Sequence, residues 1–308
     1  MPIASLVRLL VLAALWGGSF LLLRITAPVL GALPTAFGRV LLGAAGLLAL
    51  VLVMRMRIAF QGKLPATMML GVINSGIPFL MYALAARVLP AGYSAILNAT
   101  TPLMGVLIGA LAFGEQATLR KLAGVLAGLV GVGVLMGGGP LGMNAATALG
   151  VGFCLVATGC YGLAGFLTQR WIARRGGLDS RLVAFGSQVG AVLVLLPFIL
   201  IEAIRHPIDL RTIDAPVWLA WLMLGLLCTS WAYVLYFRLI ADLGPLKALT
   251  VTFLIPLFGV FWGWLVLGEP VGLAHVLGGG LIALALRLVM SPSAPTRKAG
   301  DQSISTLR

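Results

Sequence analysis

Two glutamates occur in the same setting in distant parts of the chain. Glu115 and Glu269 each close a run that reads Pro-x-x-Gly-x-x-x-Gly-x-x-x-x-Gly-Glu, starting at Pro102 and at Pro256. A carboxylate at such a helix end can cap the N-terminus of the next helix, here the fifth or the tenth, or pair with Arg120 or Lys121. A role in ion coupling is the sharper alternative. Polar and aromatic side chains also interrupt otherwise apolar runs: Trp16, Ser19, Asn74, Tyr82, Asn98, Thr101, Tyr161, Trp231, Tyr233 and Thr252. A buried amide in lipid needs a partner, supplied by another helix or by a bound solute. Arg24 and Arg39 lie inside apolar runs as well. Each either snorkels to headgroups or meets a carbonyl cluster or a solute carboxylate. Pro102 and Pro256 remove a backbone donor within a span; the resulting kink is a static bend or frees carbonyls towards a cavity and a gate.

These groups suit binding rather than bond breaking. The two histidines, His206 and His275, form no His-Glu-x-x-His site, and the glycine runs 137–139 and 278–280 lack the Lys-Ser/Thr of a phosphate loop. Cys154, Cys160 and Cys228 have neither disulfide nor metal spacing and read as small apolar core residues. The reading is therefore a non-enzyme with no cofactor and no metal. None of the eight acids falls at the centre of a span, where proton-driven carriers often place one. Coupling then takes another route, or the protein is a uniporter or exchanger.

The elements that must position these residues follow from composition. The chain has 308 residues, 61% hydrophobic and 9% charged, with a mean hydropathy of +1.10. A soluble domain carries roughly 25% charged residues, so an ordinary soluble enzyme and a disordered chain are both excluded. A span needs about 20 apolar residues. Apolar runs fall at about 5–26, 33–54, 65–88, 91–113, 119–138, 147–170, 181–203, 215–238, 245–267 and 271–290, separated by Gly, Pro or charge. The first run continues through Trp16-Gly17-Gly18-Ser19-Phe20 and reads as a retained helix rather than a signal peptide. The polar stretch 291–308 reads as a disordered cytoplasmic tail.

The net charge of +13 points to anionic lipid rather than nucleic acid, because the bases lie between apolar runs. With the N-terminus in the cytoplasm, 16 of the 21 Lys and Arg fall on the inner side. That supports an even number of spans and cytoplasmic termini. The chain also repeats itself. Pro102 and Pro256 stand 154 positions apart (256 − 102), and the same offset pairs Gly105 with Gly259, Glu115 with Glu269, Tyr82 with Tyr236 and Gly71 with Gly225. Each copy holds five spans, an odd number, so the second is inverted relative to the first. The fold expected is an all-α polytopic membrane protein of ten transmembrane helices in two inverted five-helix repeats, residues 1–140 and 141–290. Helices 1, 3, 4, 6, 8 and 9 should line a central cavity, with helices 5 and 10 peripheral.

Trp16-Gly17-Gly18-Ser19-Phe20 with Arg24, Pro34 with Arg39, and the doubled Pro…Gly-Glu run resemble the EamA-type transporters of the drug/metabolite transporter superfamily. The similarity covers about residues 5–290. In the second copy Tyr161-Gly162 stands where the first has Trp16-Gly17, and Gln188 or Ser187 is the nearest counterpart of Arg39. The resemblance implies a carrier of small metabolites, amino acids prominent among them. The reading is a secondary transporter, most simply an exporter of amino acids or related compounds working by alternating access. It would sit in the bacterial inner membrane as a monomer or homodimer, with a small-molecule substrate and membrane lipid as its partners. An exchanger of phosphorylated or nucleotide-linked solutes, and a non-transporting sensor or scaffold, are the alternatives.

Overall fold

A computed structural model describes residues 2–115, 118–137, 144–207, 209–243, 248 and 251–290. The expected tail at 291–308, the boundary between the repeats at 140, Lys247 and Thr250 lie outside the described residues. Ten helical spans run through the rest: α1 (Ile3–Leu30), α2 (Ala32–Val53), α3 (Leu64–Ala85), α4 (Ala91–Asn98 and Thr101–Phe113), α5 (Leu119–Gly137), α6 (Ala145–Trp171), α7 (Ser180–Arg205), α8 (Ala215–Leu243), α9 (Val251–Leu267) and α10 (Leu273–Met290). Six of them are long and apolar enough to cross a membrane, and the two parts of α4, bent by 40° against each other, make a seventh. Large apolar side chains such as Leu111, Leu119, Ile204 and Leu273 are exposed on the outside of the bundle, the arrangement lipid requires. Some buried hydroxyls bond within their own helices: Thr26 donates to the Leu22 carbonyl and Thr158 to that of Leu155.

The repeat seen in the sequence is a repeat in structure. α3 and α8 each contain a π-helical turn, Val72–Gly76 and Leu226–Trp231, at the same 154-residue offset. In each, an N–H reaches back five residues, Ile77 to the Val72 carbonyl and Ala232 to that of Leu227. Such turns rotate the side chains that follow and recur at functional sites. They set Ser75 and Thr229 in matching places. Arg39 of α2 donates through Nε to Thr229 Oγ1 at 3.3 Å, and Gln188 of α7 donates through Nε2 to Ser75 Oγ at 2.9 Å. Gln188, rather than Ser187, is therefore the counterpart of Arg39; Ser187 instead donates to the Thr67 carbonyl.

The glycine pattern sets how closely the helices cross. A Cβ on Gly17 would lie 2.9 Å from the Gly259 nitrogen, and a Cβ on Gly162 would lie 2.9 Å from the Gly105 nitrogen. α1 thus crosses α9 and α6 crosses α4 with backbones nearly touching, the use lipid-buried small residues serve. That is why Trp16-Gly17 and Tyr161-Gly162 correspond although their aromatic rings differ. α5 and α10 pack against each other at Gly131 and Gly278.

Candidate functional site

Between the repeats lies a cavity of about 490 Å³. It is lined by Trp16, Ser19 and Phe20 of α1, Arg39 of α2, Asn74, Phe79 and Tyr82 of α3, and Asn98, Thr101, Pro102 and Gly105 of α4. The second repeat adds Tyr161 and Gly162 of α6, Cys228, Thr229, Tyr233 and Tyr236 of α8, and Val251, Thr252 and Ile255 of α9. Among the described residues neither α5 nor α10 contributes, and α2, which is not among the helices expected to line the cavity, contributes Arg39.

The walls take their shape from local bonds. The Tyr82 hydroxyl donates to Asn98 Oδ1 at 2.9 Å, which answers the need of one buried amide. Asn74 sits in the π-helical turn of α3 and faces the cavity; among the described residues its amide has no side-chain partner. Ser19 and Thr101 donate to the carbonyls of Trp16 and Asn98. Tyr82 stacks on Tyr161 with ring centroids 6.3 Å apart, and Phe20 meets Tyr82 edge-on. Arg39 is 6% exposed, and its guanidinium carbon lies 3.8 Å from the centroid of Phe79. An arginine at the centre of a span costs about 2.5–3.5 kcal/mol on insertion scales. A cation–π contact returns about 0.5–2 kcal/mol of that. Of the seven described acids none lines the cavity.

Three of the residues singled out in the sequence lie elsewhere. Trp231 is 52% exposed and outside the cavity. It stands two residues from both Thr229 and Tyr233, which puts it on the opposite side of α8. Arg24 donates through Nη1 to the Ala86 carbonyl at 2.8 Å. It shares a face with Trp16 and Phe20 but sits a turn beyond the cavity, where it caps the C-terminal end of α3. Pro256 lies inside α9 but does not line the cavity, whereas its counterpart Pro102 does. Thr229, Gly105 and Gly162 also line it, and Phe20, Phe79, Cys228, Tyr236, Val251 and Ile255 complete the lining. As apolar or core-like residues these last six carry no signal of their own, apart from Tyr236, which the repeat pairs with Tyr82.

The doubled Gly-Glu run has a definite role at one end of the bundle. Gly268 takes φ +63° and ends α9, and Gly114 takes φ +66° and ends α4. The chain then folds back: the Glu269 N–H bonds the Gly263 carbonyl at 3.2 Å, and the Glu115 N–H bonds the Gly109 carbonyl at 2.9 Å. Glu269 lies over Gly263, where any Cβ would overlap its carboxylate. It accepts from the backbone N–H of Ala91 at 2.9 Å and of Gly92 at 3.4 Å. The helix it caps is therefore α4, in the other repeat, and not α10. The first turn of α10 is instead bonded by His275, whose Nδ1 accepts from the Gly272 N–H. A helix N-terminus collects unpaired N–H groups wherever it lies in space, so chain order misled the expectation.

These contacts make the two ends of the cavity unlike. At the end where α4 begins and α9 stops, Ala95 packs onto Gly259, Gly92 onto Val260, and Glu269 ties the two helices together. The cavity lies from the middle towards the opposite end, among Asn98–Gly105 of α4 and Val251–Ile255 of α9. Gly105 lines open space while its repeat mate Gly259 is covered.

Ten helices in two inverted repeats around a central, largely aromatic cavity with a few polar groups define a membrane transporter fold. The EamA-like transporter family model matches residues 4–137 and again residues 148–291, and the chain belongs to that family. It is 23% identical over 274 residues to the uncharacterized transporter YoaV of Bacillus subtilis, covering 88% of this chain and 91% of the other. It is 24% identical over 231 residues to a probable amino-acid metabolite efflux pump of Salmonella typhimurium, covering 73% and 76%. A protein of known crystal structure, 18% identical, superposes with a TM-score of 0.63 over 94% of this chain and 97% of its own, which shows the shared fold.

Proposed function

We propose that this protein exports small amino-acid-like metabolites across a bacterial inner membrane by alternating access, with both termini in the cytoplasm. The observation that carries the reading is the cavity between the repeats, lined from both and closed at one end by α4 against α9. Inverted repeats give two similar halves that can exchange which end is open. The unlike surroundings of Pro102 and Pro256, and of Gly105 and Gly259, fit one such state. By the distribution of Lys and Arg, the closed end is the outer one, and the cavity faces the cytoplasm, where an exporter loads. The class of amino acids and related compounds rests on the name of the Salmonella relative and on a cavity that offers amides, hydroxyls, aromatic faces and, among the described residues, one cation for a carboxylate. The phosphorylated-solute alternative needed both Arg24 and Arg39, and Arg24 is engaged elsewhere.

The test is counterflow in proteoliposomes preloaded with unlabelled amino acids and their derivatives, following entry of labelled ones with and without a pH gradient. Saturable exchange of at least one solute, insensitive to the gradient, is expected. Folded protein that exchanges nothing would contradict the reading.

A further inference from the structure

Arg39 is the one charged side chain among the described residues that line the cavity. A guanidinium has five N–H donors in a fixed fork. One of these, on Nε, is used on Thr229. No described acid lines the cavity, and Arg24 is spent on the Ala86 carbonyl outside it. Among the described residues the site thus holds a single positive charge, with free donors shaped to grip a carboxylate in a bidentate manner. A dianion would leave a negative charge uncompensated there. A zwitterion would bring a second cation close to Arg39 with no carboxylate to receive it. The remaining walls are aromatic, with Trp16, Phe20, Tyr82, Tyr161 and Tyr233.

We propose that the preferred solute is a monoanion: a small carboxylic acid with an apolar or aromatic body whose amino group is absent or blocked, its carboxylate held by Arg39. Binding such a solute neutralises the cavity, the state in which a charge is least costly to carry across lipid. This deepens the transport reading and rests on it for the word solute, but its test is made by binding alone.

Four ligands sharing one body separate the possibilities: 3-phenyllactate as monoanion, phenylalanine as zwitterion, phenethylamine as cation and phenyl phosphate as dianion. Each is titrated calorimetrically into the full-length detergent-purified protein at pH 7.5. Phenyllactate should bind at least about tenfold more tightly than phenylalanine, equivalent to about 1.4 kcal/mol, with the cation and dianion weaker still. Arg39→Lys should weaken phenyllactate while keeping the order. Arg39→Gln should abolish the preference, and Arg24→Gln should leave it intact. The wild-type ranking decides the matter even where a variant fails to fold. The proposal is overturned if phenylalanine binds as tightly as phenyllactate, if none of the four binds, or if folded Arg39→Gln binds phenyllactate unchanged. Counterflow judges the other reading separately. Phenyllactate that binds but never exchanges would remove the transport function and leave the carboxylate assignment standing, whereas exchange confined to amines would do the reverse.

Discussion

Replacing Glu269 by alanine removes the carboxylate that joins the end of α9 to the start of α4. Its 2.9 Å bond from the Ala91 N–H is charge-assisted, and the 3.4 Å bond from Gly92 is long enough to add little. A hydrogen bond to a charged group contributes about 1.5–3 kcal/mol. A negative charge at a helix N-terminus adds about 0.3–1 kcal/mol. Glu269→Ala should therefore destabilise the protein by about 2–4 kcal/mol on these magnitudes. Glu269→Gln keeps one acceptor of the same shape and should lose about 1 kcal/mol. Gly263→Ala should resemble Glu269→Ala, because the new methyl occupies the space of the carboxylate. Thermal unfolding in one detergent at a fixed scan rate ranks the three variants against wild type. The reasoning also requires looser closure at that end, read as faster labelling of a cysteine introduced at Ala95. Wild-type midpoints in both Glu269→Ala and Gly263→Ala would refute it.

Other variants probe separate parts of the account. Gly71→Ala would press a methyl onto the Ser187 carbonyl where α3 meets α7 and should cost about 1–3 kcal/mol. Gly152→Ala in α6 meets nothing within 4 Å and should be neutral or slightly stabilising, by up to about 1 kcal/mol from helix propensity; the two unfolding midpoints settle both. Tyr233→Ala should change the affinity of the preferred solute, and Trp231→Ala, two residues away but outside the cavity, should not. At the turn before α7, the Arg181 side chain and N–H hold the Asp179 carboxyl below the usual carboxylate range. The folded value lies below the unfolded one, so the stabilisation is present at neutral pH and is lost as pH falls through the folded value. Wild type and Asp179→Ala should differ in unfolding midpoint at pH 7, and the difference should shrink only as pH falls below the ordinary carboxylate value near about 3.9.

The spans, the inversion and much of the cavity lining were legible because lipid enforces simple rules. Apolar length marks a helix, and a polar group within it needs a reason. The 154-residue offset carried over into paired π-helical turns and paired glycine crossings. What stayed hidden depended on neighbours distant in sequence. Glu269 reads as a cap for α10 because α10 comes next in the chain, yet the open helix end beside it belongs to α4. Arg24 and Arg39 look alike in sequence; only the packing shows that one meets a backbone carbonyl and the other faces the cavity. Gln188 became the counterpart of Arg39 only through the bond it makes to Ser75. The misplacement of Trp231 is of another kind: helical spacing from Tyr233 already put it on the far side of α8, and its chemical type outweighed that geometry.

The claim on which the rest depends is that the solute crosses through the cavity between the repeats. Thr101 lines that cavity from α4, and Thr101→Trp would fill part of it with an indole while leaving the surface of the bundle unchanged. The direct measurement is counterflow in proteoliposomes for wild type and Thr101→Trp side by side, with matched amounts of folded protein. Saturable exchange by wild type, lost in Thr101→Trp, is the predicted result. Exchange of equal rate in both proteins, or in neither, would contradict it.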